Sequence, residues 1–296
     1  MSLRQVQAGG VLRPNPLRFT SCQAPIAEAF CAGVASYVGN NLGTVVEFVD
    51  DIPWPERLRE FDAGRIHVCW MCGLPYVWRT DQPESSVELL VAPVAAGPRY
   101  ADRPVYFSDV VVRHDSSWSS FAALEGASWA YNEETSHSGY NVIRHRLAQM
   151  GRDRGFYGNV VASGSHEASL RRLLDGDVDA TALDSTVLDL LYRQDARLAS
   201  QLRVIETFGP SPSPPWVVAR TVPRVLRAAI REALLAMSID PRGRDVLSSG
   251  MVSRFAVVTD ADYDPIRRMA REAERIERAV EGTGAAPGAV RPLSSA

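Results

Sequence analysis

Short runs rich in valine, isoleucine and aromatic residues alternate with amphipathic stretches along almost the whole chain. Residues 17–22 predict a strand and 25–38 a helix; 44–50, dense in β-branched residues, predict a second strand. Residues 55–63 set Leu58 and Phe61 three apart on one helical face, and Gly64 stops that helix. Residues 66–70 and 87–94 predict further strands. This alternation argues for βαβ units and a largely parallel sheet.

A second unit of the same kind opens near Pro104. Residues 105–113 read as a long strand, 119–124 as a short helix and 127–131 as a strand. Residues 136–150 predict a helix with Ile143, Leu147 and Met150 on one face and Gly151 as its stop. Strands at 156–162, 178–183 and 202–208 alternate with helices at 167–174 and 186–199. Gly209-Pro210-Ser211-Pro212-Ser213-Pro214-Pro215 then predicts a break in all regular structure. A strand at 216–220 and helices at 225–237 and 265–280 follow. Residues 282–296, rich in Gly, Ala, Pro and Ser, read as a mobile tail. The pattern predicts two lobes, 1–104 with 217–296 and 105–216, each a mostly parallel sheet flanked by helices, joined by two hinge crossings near Val105 and Pro215.

At 296 residues the chain has room for two such domains. Its formal charge of −3 shows no basic excess of the kind that marks a nucleic-acid partner. All 32 cationic side chains are arginine, which excludes Schiff-base, phosphate-loop and kinase-type lysine chemistry. No apolar run approaches the roughly 20 residues of a membrane-spanning helix. The first ten residues lack the apolar stretch of a secretory signal. That fits a cytoplasmic chain if Met1 is the native start, and an extracytoplasmic one if a signal has been removed.

Four cysteines are too few for a disulfide-built scaffold. Cys69-Trp70-Met71-Cys72 has the spacing of a redox pair or half a zinc site. A redox pair needs a helix N-terminus to lower its thiol pKa, and Gly73-Leu74-Pro75 opens a helix poorly. The expectation is two structural residues beside a turn, with no metal and no cofactor.

The most informative stretch is Tyr131-Asn132-Glu133-Glu134-Thr135-Ser136-His137-Ser138-Gly139-Tyr140. A strand ends in a polar loop and a helix starts at Ser136 to Ser138. Free N–H groups and the positive dipole end make such a start suited to an anion. A plain cap needs one hydroxyl; this start has Ser136, Ser138 and His137, with Gly139 permitting close approach. Ala162-Ser163-Gly164-Ser165-His166-Glu167 repeats the logic at the next strand-to-helix turn, with Ser165 as N-cap and His166 in the first turn. Asp184 ends the following strand at the same sheet edge, where it either meets a ligand or caps the next helix. Hydrolase and nucleotide motifs fail: Leu170 occupies the last position of an HExxH, and no GxSxG, GxGxxG or GxxxxGK[ST] exists. A Ser136 or Ser138, His166, Asp184 triad can be written, but no spacing enforces it.

In order along the chain, Asp62-Ala63-Gly64-Arg65-Ile66-His67-Val68-Cys69-Trp70, Gly73-Leu74-Pro75-Tyr76-Val77, Ser136-His137-Ser138-Gly139-Tyr140, Gly164-Ser165-His166-Glu167, the run from Val178 to Ser185 and Asp262-Tyr263-Asp264-Pro265 resemble the substrate-binding proteins of phosphate, phosphite and phosphonate ABC importers. The resemblance runs from about Leu17 to Arg271 and implies the two-lobed type II periplasmic-binding-protein fold. It also implies an oxyanion at Ser136, His137 and Ser138, where the family has Ser-Thr-Ser-Gly and this chain a central His137. His166 matches the family histidine that reaches phosphonate oxygens, and Asp184 falls near an acidic position that holds an amine in aminoalkylphosphonate binders. A second such acid should fall around 211–214, where only Ser and Pro stand; this argues against an amine-bearing ligand. Trp54, Tyr76 and Tyr106 are the expected aromatic walls.

The resemblance implies a non-catalytic, monomeric receptor that closes over a small oxyanion and hands it to an ABC permease. Two other classes stand beside it. One is an enzyme of the related thiamine-pyrimidine-synthase branch, with Cys and His near the cleft acting chemically. The other is a cytoplasmic sensor using the same lobes without transport.

Overall fold

A computed structural model describes residues 16–282. The expectations for the first ten residues and for the tail beyond 282 lie outside the described residues. Leu17–Ser21 (β1) runs parallel to Val46–Val49 (β2) and to Val68–Trp70 (β3), with Phe19 opposite Phe48 on one side and Val68 on the other. Parallel neighbours need crossovers, supplied by Glu28–Leu42 (α1) and Trp54–Asp62 (α2). Gly43 ends α1 in the left-handed conformation, φ 62°. Gly73–Thr80 (α3) leads on to Val87–Ala95 (β4).

The chain then crosses to a second sheet. It comprises Val105–Arg113 (β5), Ser128–Tyr131 (β6), Asn159–Ala162 (β7), Ala180–Asp184 (β8) and Leu202–Pro212 (β9), in the order β7-β6-β8-β5-β9. Its helices are Val142–Gln149 (α4), His166–Asp175 (α5), Ser185–Gln194 (α6) and Leu198–Gln201 (α7). The chain returns to the first sheet as Trp216–Ala219 (β10), Arg224–Ala236 (α8), Pro241–Ser249 (α9), Val252–Ala256 (β11) and Asp264–Gly282 (α10). The first sheet reads β11-β4-β10-β3-β1-β2.

The fold is two-lobed, but its sheets are mixed where a mostly parallel pairing was expected. β10 runs antiparallel between β3 and β4, and β5 antiparallel between β8 and β9. Both strands enter their sheet from the other lobe, so no same-sheet crossover dictates their direction. The proline-rich run does not end regular structure either: β9 continues through Gly209 to Pro212. It is an edge strand, so missing proline N–H groups leave no ladder bond broken on its outer side. The helix expected over 186–199 is two pieces, because the Asp195 carboxylate takes the Arg197 N–H and turns the chain there. Short α9, opened by the Asp240 cap with Pro241 in first position, and edge strand β11 were not anticipated.

Each sheet carries an apolar layer on both faces. Phe19, Val34, Val68, Trp216 and Leu234 pack on one side of the first sheet, and Phe61, Ile66, Met71, Val217 and Tyr263 on the other. Val110, Phe121, Trp129 and Leu147 cover one face of the second sheet, and Val111, Leu170, Leu183 and Leu188 the other. The crossing segments are tied to one another and to the first lobe: Ser213 N–H donates to the Pro104 carbonyl (2.9 Å), and Trp70 Nε1 to the Pro214 carbonyl (2.9 Å). Away from these crossings the lobes also touch. Ile26 N–H donates to Glu167 Oε1 (2.8 Å), His145 Nε2 pairs with Glu272 Oε2 (2.7 Å), and Arg193 donates to the Ser248 carbonyl (2.5 Å).

Candidate functional site

The carboxyl ends of β6, β7 and β8 face the carboxyl ends of β1, β2 and β3 across a cavity of about 130 Å³. Beyond strand ends is where open α/β sheets bind ligands. From the second lobe come Tyr106, Asn132, Glu133, Ser136, Ser138, His166 and Asp184. From the first come Cys22, Gln23, Glu28, Trp54, Arg57 and Cys72.

The turn after β6 is tighter in sequence than it is in space. Ser136 is extended at φ −76°, ψ 132°, and its Oγ accepts the Gly139 N–H at 3.1 Å. Residues His137–Asn141 form a π-turn before α4 begins, a wider coil than the α-helix expected from 136 on. Capping uses only an Oγ lone pair, so the Ser136 O–H remains a donor. Gly139 is required for a close approach: a Cβ there would meet Asn132 Oδ1 at 2.0 Å and His166 Cε1 at 3.3 Å. Ser138 Oγ lies 3.3 Å from His166 Nε2, which also contacts Asn132 Nδ2 at 3.5 Å. Ser108 Oγ donates to the Ser138 carbonyl at 2.7 Å and anchors the turn to β5.

Burial holds the His166 imidazole down at about 4, against a smaller opposing pull from the Ala182 carbonyl. The ring is therefore neutral near pH 7, and Nε2 accepts from the Asn132 amide. Asp184 caps α6, accepting from Thr186 N–H and Oγ1, both at 2.7 Å; burial nonetheless pushes its carboxyl up to about 6. It is both cap and cavity wall, so the two roles the sequence left open are compatible. Glu133, on the loop before the turn, is raised to about 7 by burial, with Oε2 buried and unpartnered.

On the facing lobe Arg57 is buried and fully engaged. It donates to the carbonyls of Ile52 (2.7 Å), Ser21 (3.0 Å) and Asp50 (2.7 Å), and to Glu28 Oε1 (2.8 Å). It thus ties the ends of β1 and β2 together and places one paired cation beside the cavity. Cys72 stands at the N-cap position of α3 without a side-chain cap bond. The sequence reading expected Gly73-Leu74-Pro75 to open a helix poorly, but Pro75 is harmless there because it lies in the first turn. Burial pushes the Cys72 thiol up to about 11, and its sulfur accepts the His137 N–H from the other lobe at 3.4 Å.

Of the residues expected at the site, Trp54, Tyr106, Ser136, Ser138, His166 and Asp184 line the cavity, while Tyr76 and His137 do not. Tyr76 turns into the first lobe's core, its hydroxyl donating to Asp260 Oδ1 (2.7 Å) and its ring edge-on to Tyr263. His137 points out of the cleft into the protein. Asn141 Nδ2 can only donate, so His137 Nδ1 accepts it at 3.1 Å and Nε2–H donates to Ser211 Oγ at 3.0 Å. Burial lowers this imidazole to about 3, which removes it as a charged anion donor. Glu133, Asn132 and Arg57 escaped the sequence reading. Asn132 and Glu133 stood in the quoted loop without a role, and a mid-helix arginine reads as solvated surface.

Two lobes with facing strand ends and a small polar cavity between them define a two-lobed solute-binding protein. The family model described as "ABC transporter, phosphonate, periplasmic substrate-binding protein" matches residues 22–263. The chain belongs to that family of non-enzymatic ABC-transporter binding proteins. Among solved structures, the binding-protein component of an ABC phosphonate transporter from Pseudomonas aeruginosa superposes with TM-score 0.78 at 18% identity, covering 89% of this chain and 88% of that one. PhnD1 from Prochlorococcus marinus, solved in complex with methylphosphonate, has TM-score 0.78 at 17% identity, covering 88% and 99%. A Xanthomonas citri protein solved bound to ATP has TM-score 0.66 at 15% identity, covering 89% and 98%.

Proposed function

We propose that this chain captures a phosphonate, phosphite or phosphate oxyanion in the interlobe cavity and delivers it to an ABC permease. It does so as a monomer, outside the cytoplasm. Ser136 and Ser138 supply hydroxyl donors, His166 an imidazole that gains a proton as the anion arrives, and Trp54 and Tyr106 the walls that exclude water. Residues 105–216 close as one unit against the rest about the two crossings. The observation that carries this reading is the convergence of Ser136, Ser138 and His166 on one cavity walled by the opposite lobe. Its size, about 130 Å³, fits a phosphonate with a short substituent. A nucleotide would need a site in the roughly 300–1,000 Å³ range of drug-sized ligands.

The test is a thermal-shift panel of phosphate, phosphite, methylphosphonate, sulfate and acetate. A true ligand at 100 times Kd stabilises by about 2.7 kcal/mol, a rise of roughly 5–10 °C. Silence from every phosphorus oxyanion, or a response to acetate alone, would overturn the proposal.

A further inference from the structure

The fold gives Cys69 a thiol neighbour other than the one its CxxC spacing suggests. Cys22 follows β1 and Cys69 lies in β3. The two strands are held in register by the Thr20–Cys69 and Ser21–Trp70 pairs and by the Cys22 N–H, which donates to the Trp70 carbonyl at 3.0 Å. The sulfurs of Cys22 and Cys69 stand 3.6 Å apart, in contact and about 1.5 Å from bonding distance. Cys22 is half-buried and lines the interlobe cavity, while Cys69 is wholly buried behind it. The Cys72 sulfur is engaged as acceptor of the His137 N–H, and Cys31 is buried within the α1 core.

We propose that Cys22 and Cys69 form a reversible oxidation site that closes as a disulfide in the wall of the cleft. The co-reactant is a low-molecular-weight disulfide, as met by thiols in an oxidising compartment. The Cys22 thiolate attacks one sulfur of that molecule, forming a mixed disulfide and releasing one thiol. Cys69 then attacks the Cys22 sulfur and releases the second. Two protein thiols lose two electrons and two protons, and one small disulfide is reduced to two thiols. Order follows access: Cys22 meets solvent through the cavity, and Cys69 meets only Cys22. Burial pushes the Cys69 thiol well above its ordinary value, so Cys22 takes the first step.

The experiment incubates the folded full chain with oxidised glutathione and measures intact mass, followed by non-reducing peptide mapping. The expected result is loss of two hydrogens per chain, reversed by dithiothreitol, with the peptides of Cys22 and Cys69 joined. A Cys31→Ser/Cys72→Ser variant should close as the parent does, and Cys22→Ser should not. Closure that persists in Cys22→Ser, a mapped Cys69–Cys72 bond, or a stable glutathione adduct on Cys22 that never resolves would each overturn the proposal. The map on the unmodified chain decides between pairs even if a variant folds poorly.

Discussion

Replacing Gly139 with alanine adds one methyl directly behind two cavity-lining residues, Asn132 and His166. The new Cβ would lie 2.0 Å from Asn132 Oδ1 and 3.0 Å from its Cγ, so Asn132 must retreat by more than about 1 Å to restore ordinary contact. Asn132 is buried, and His166, 3.3 Å from the same Cβ, leaves it little room. Overpacking of this kind costs about 1–3 kcal/mol, while exchanging glycine for alanine in a helical turn returns about 1 kcal/mol. The clash wins, for a net loss near 1 kcal/mol and a Tm lower by roughly 2–4 °C. Displacing Asn132 also shifts the His166 ring on the cavity wall, so under the proposed function methylphosphonate affinity should fall at least tenfold, about 1.4 kcal/mol. Thermal unfolding and calorimetric titration read both effects, with Asn132→Ala and the double variant completing a cycle. If the clash is the cause, the two substitutions couple by at least about 0.5 kcal/mol. A Gly139→Ala protein as stable and as tight as the parent, or a cycle with no coupling, would refute the geometry.

Ser138→Ala should weaken methylphosphonate by about 1–3 kcal/mol, some 5- to 150-fold, because a charged acceptor loses a donor in a dry site; unchanged titration would place the ligand elsewhere. Glu133 and Asp184, raised to about 7 and about 6, are protonated below those values and repel an anion above them, so affinity should fall as pH rises through 6–7. The ratio of parent to Glu133→Gln affinities cancels the ligand's own titration and should rise at low pH; a flat ratio would exclude Glu133. His137, held at about 3 against about 6.5 unfolded, binds fewer protons when folded. Its contribution to stability is present above pH 6.5 and lost as pH falls toward 3, so His137→Gln should flatten that limb in urea unfolding. Arg57→Met should cost about 2–4 kcal/mol by the same measurement, since four hydrogen bonds go and Glu28 loses its cation.

The strand-to-helix turns were legible because such turns have a local grammar: hydroxyls at a helix start, glycine where the backbone must come close. Which way a side chain leaves such a turn is not local. His137 sits between two cavity-lining serines, yet the wider π-turn directs it to Ser211, a partner 74 residues away. Tyr76 fails for the same reason, because its face of α3 is decided by Tyr263 and Asp260. The antiparallel strands β5 and β10 could not be read from alternation alone, since their direction is set by arrival from the other lobe. Glu133 is the reverse case: a charged loop residue looks solvated until the first lobe is set against it across the cavity.

Three of the contacts that join the lobes away from the crossings, at Glu167, Glu272 and Ser248, involve no cavity-lining residue. In a receptor that must close to bind, apparent affinity is the intrinsic affinity scaled by the fraction of molecules already closed. A surface contact worth up to about 1 kcal/mol therefore changes the concentration at which the protein fills by up to about fivefold, and changes it equally for every ligand. Sensitivity and selectivity are written in different residues. Under the proposed function, the cavity decides which ligand is taken, and the outer contacts decide how scarce it can be.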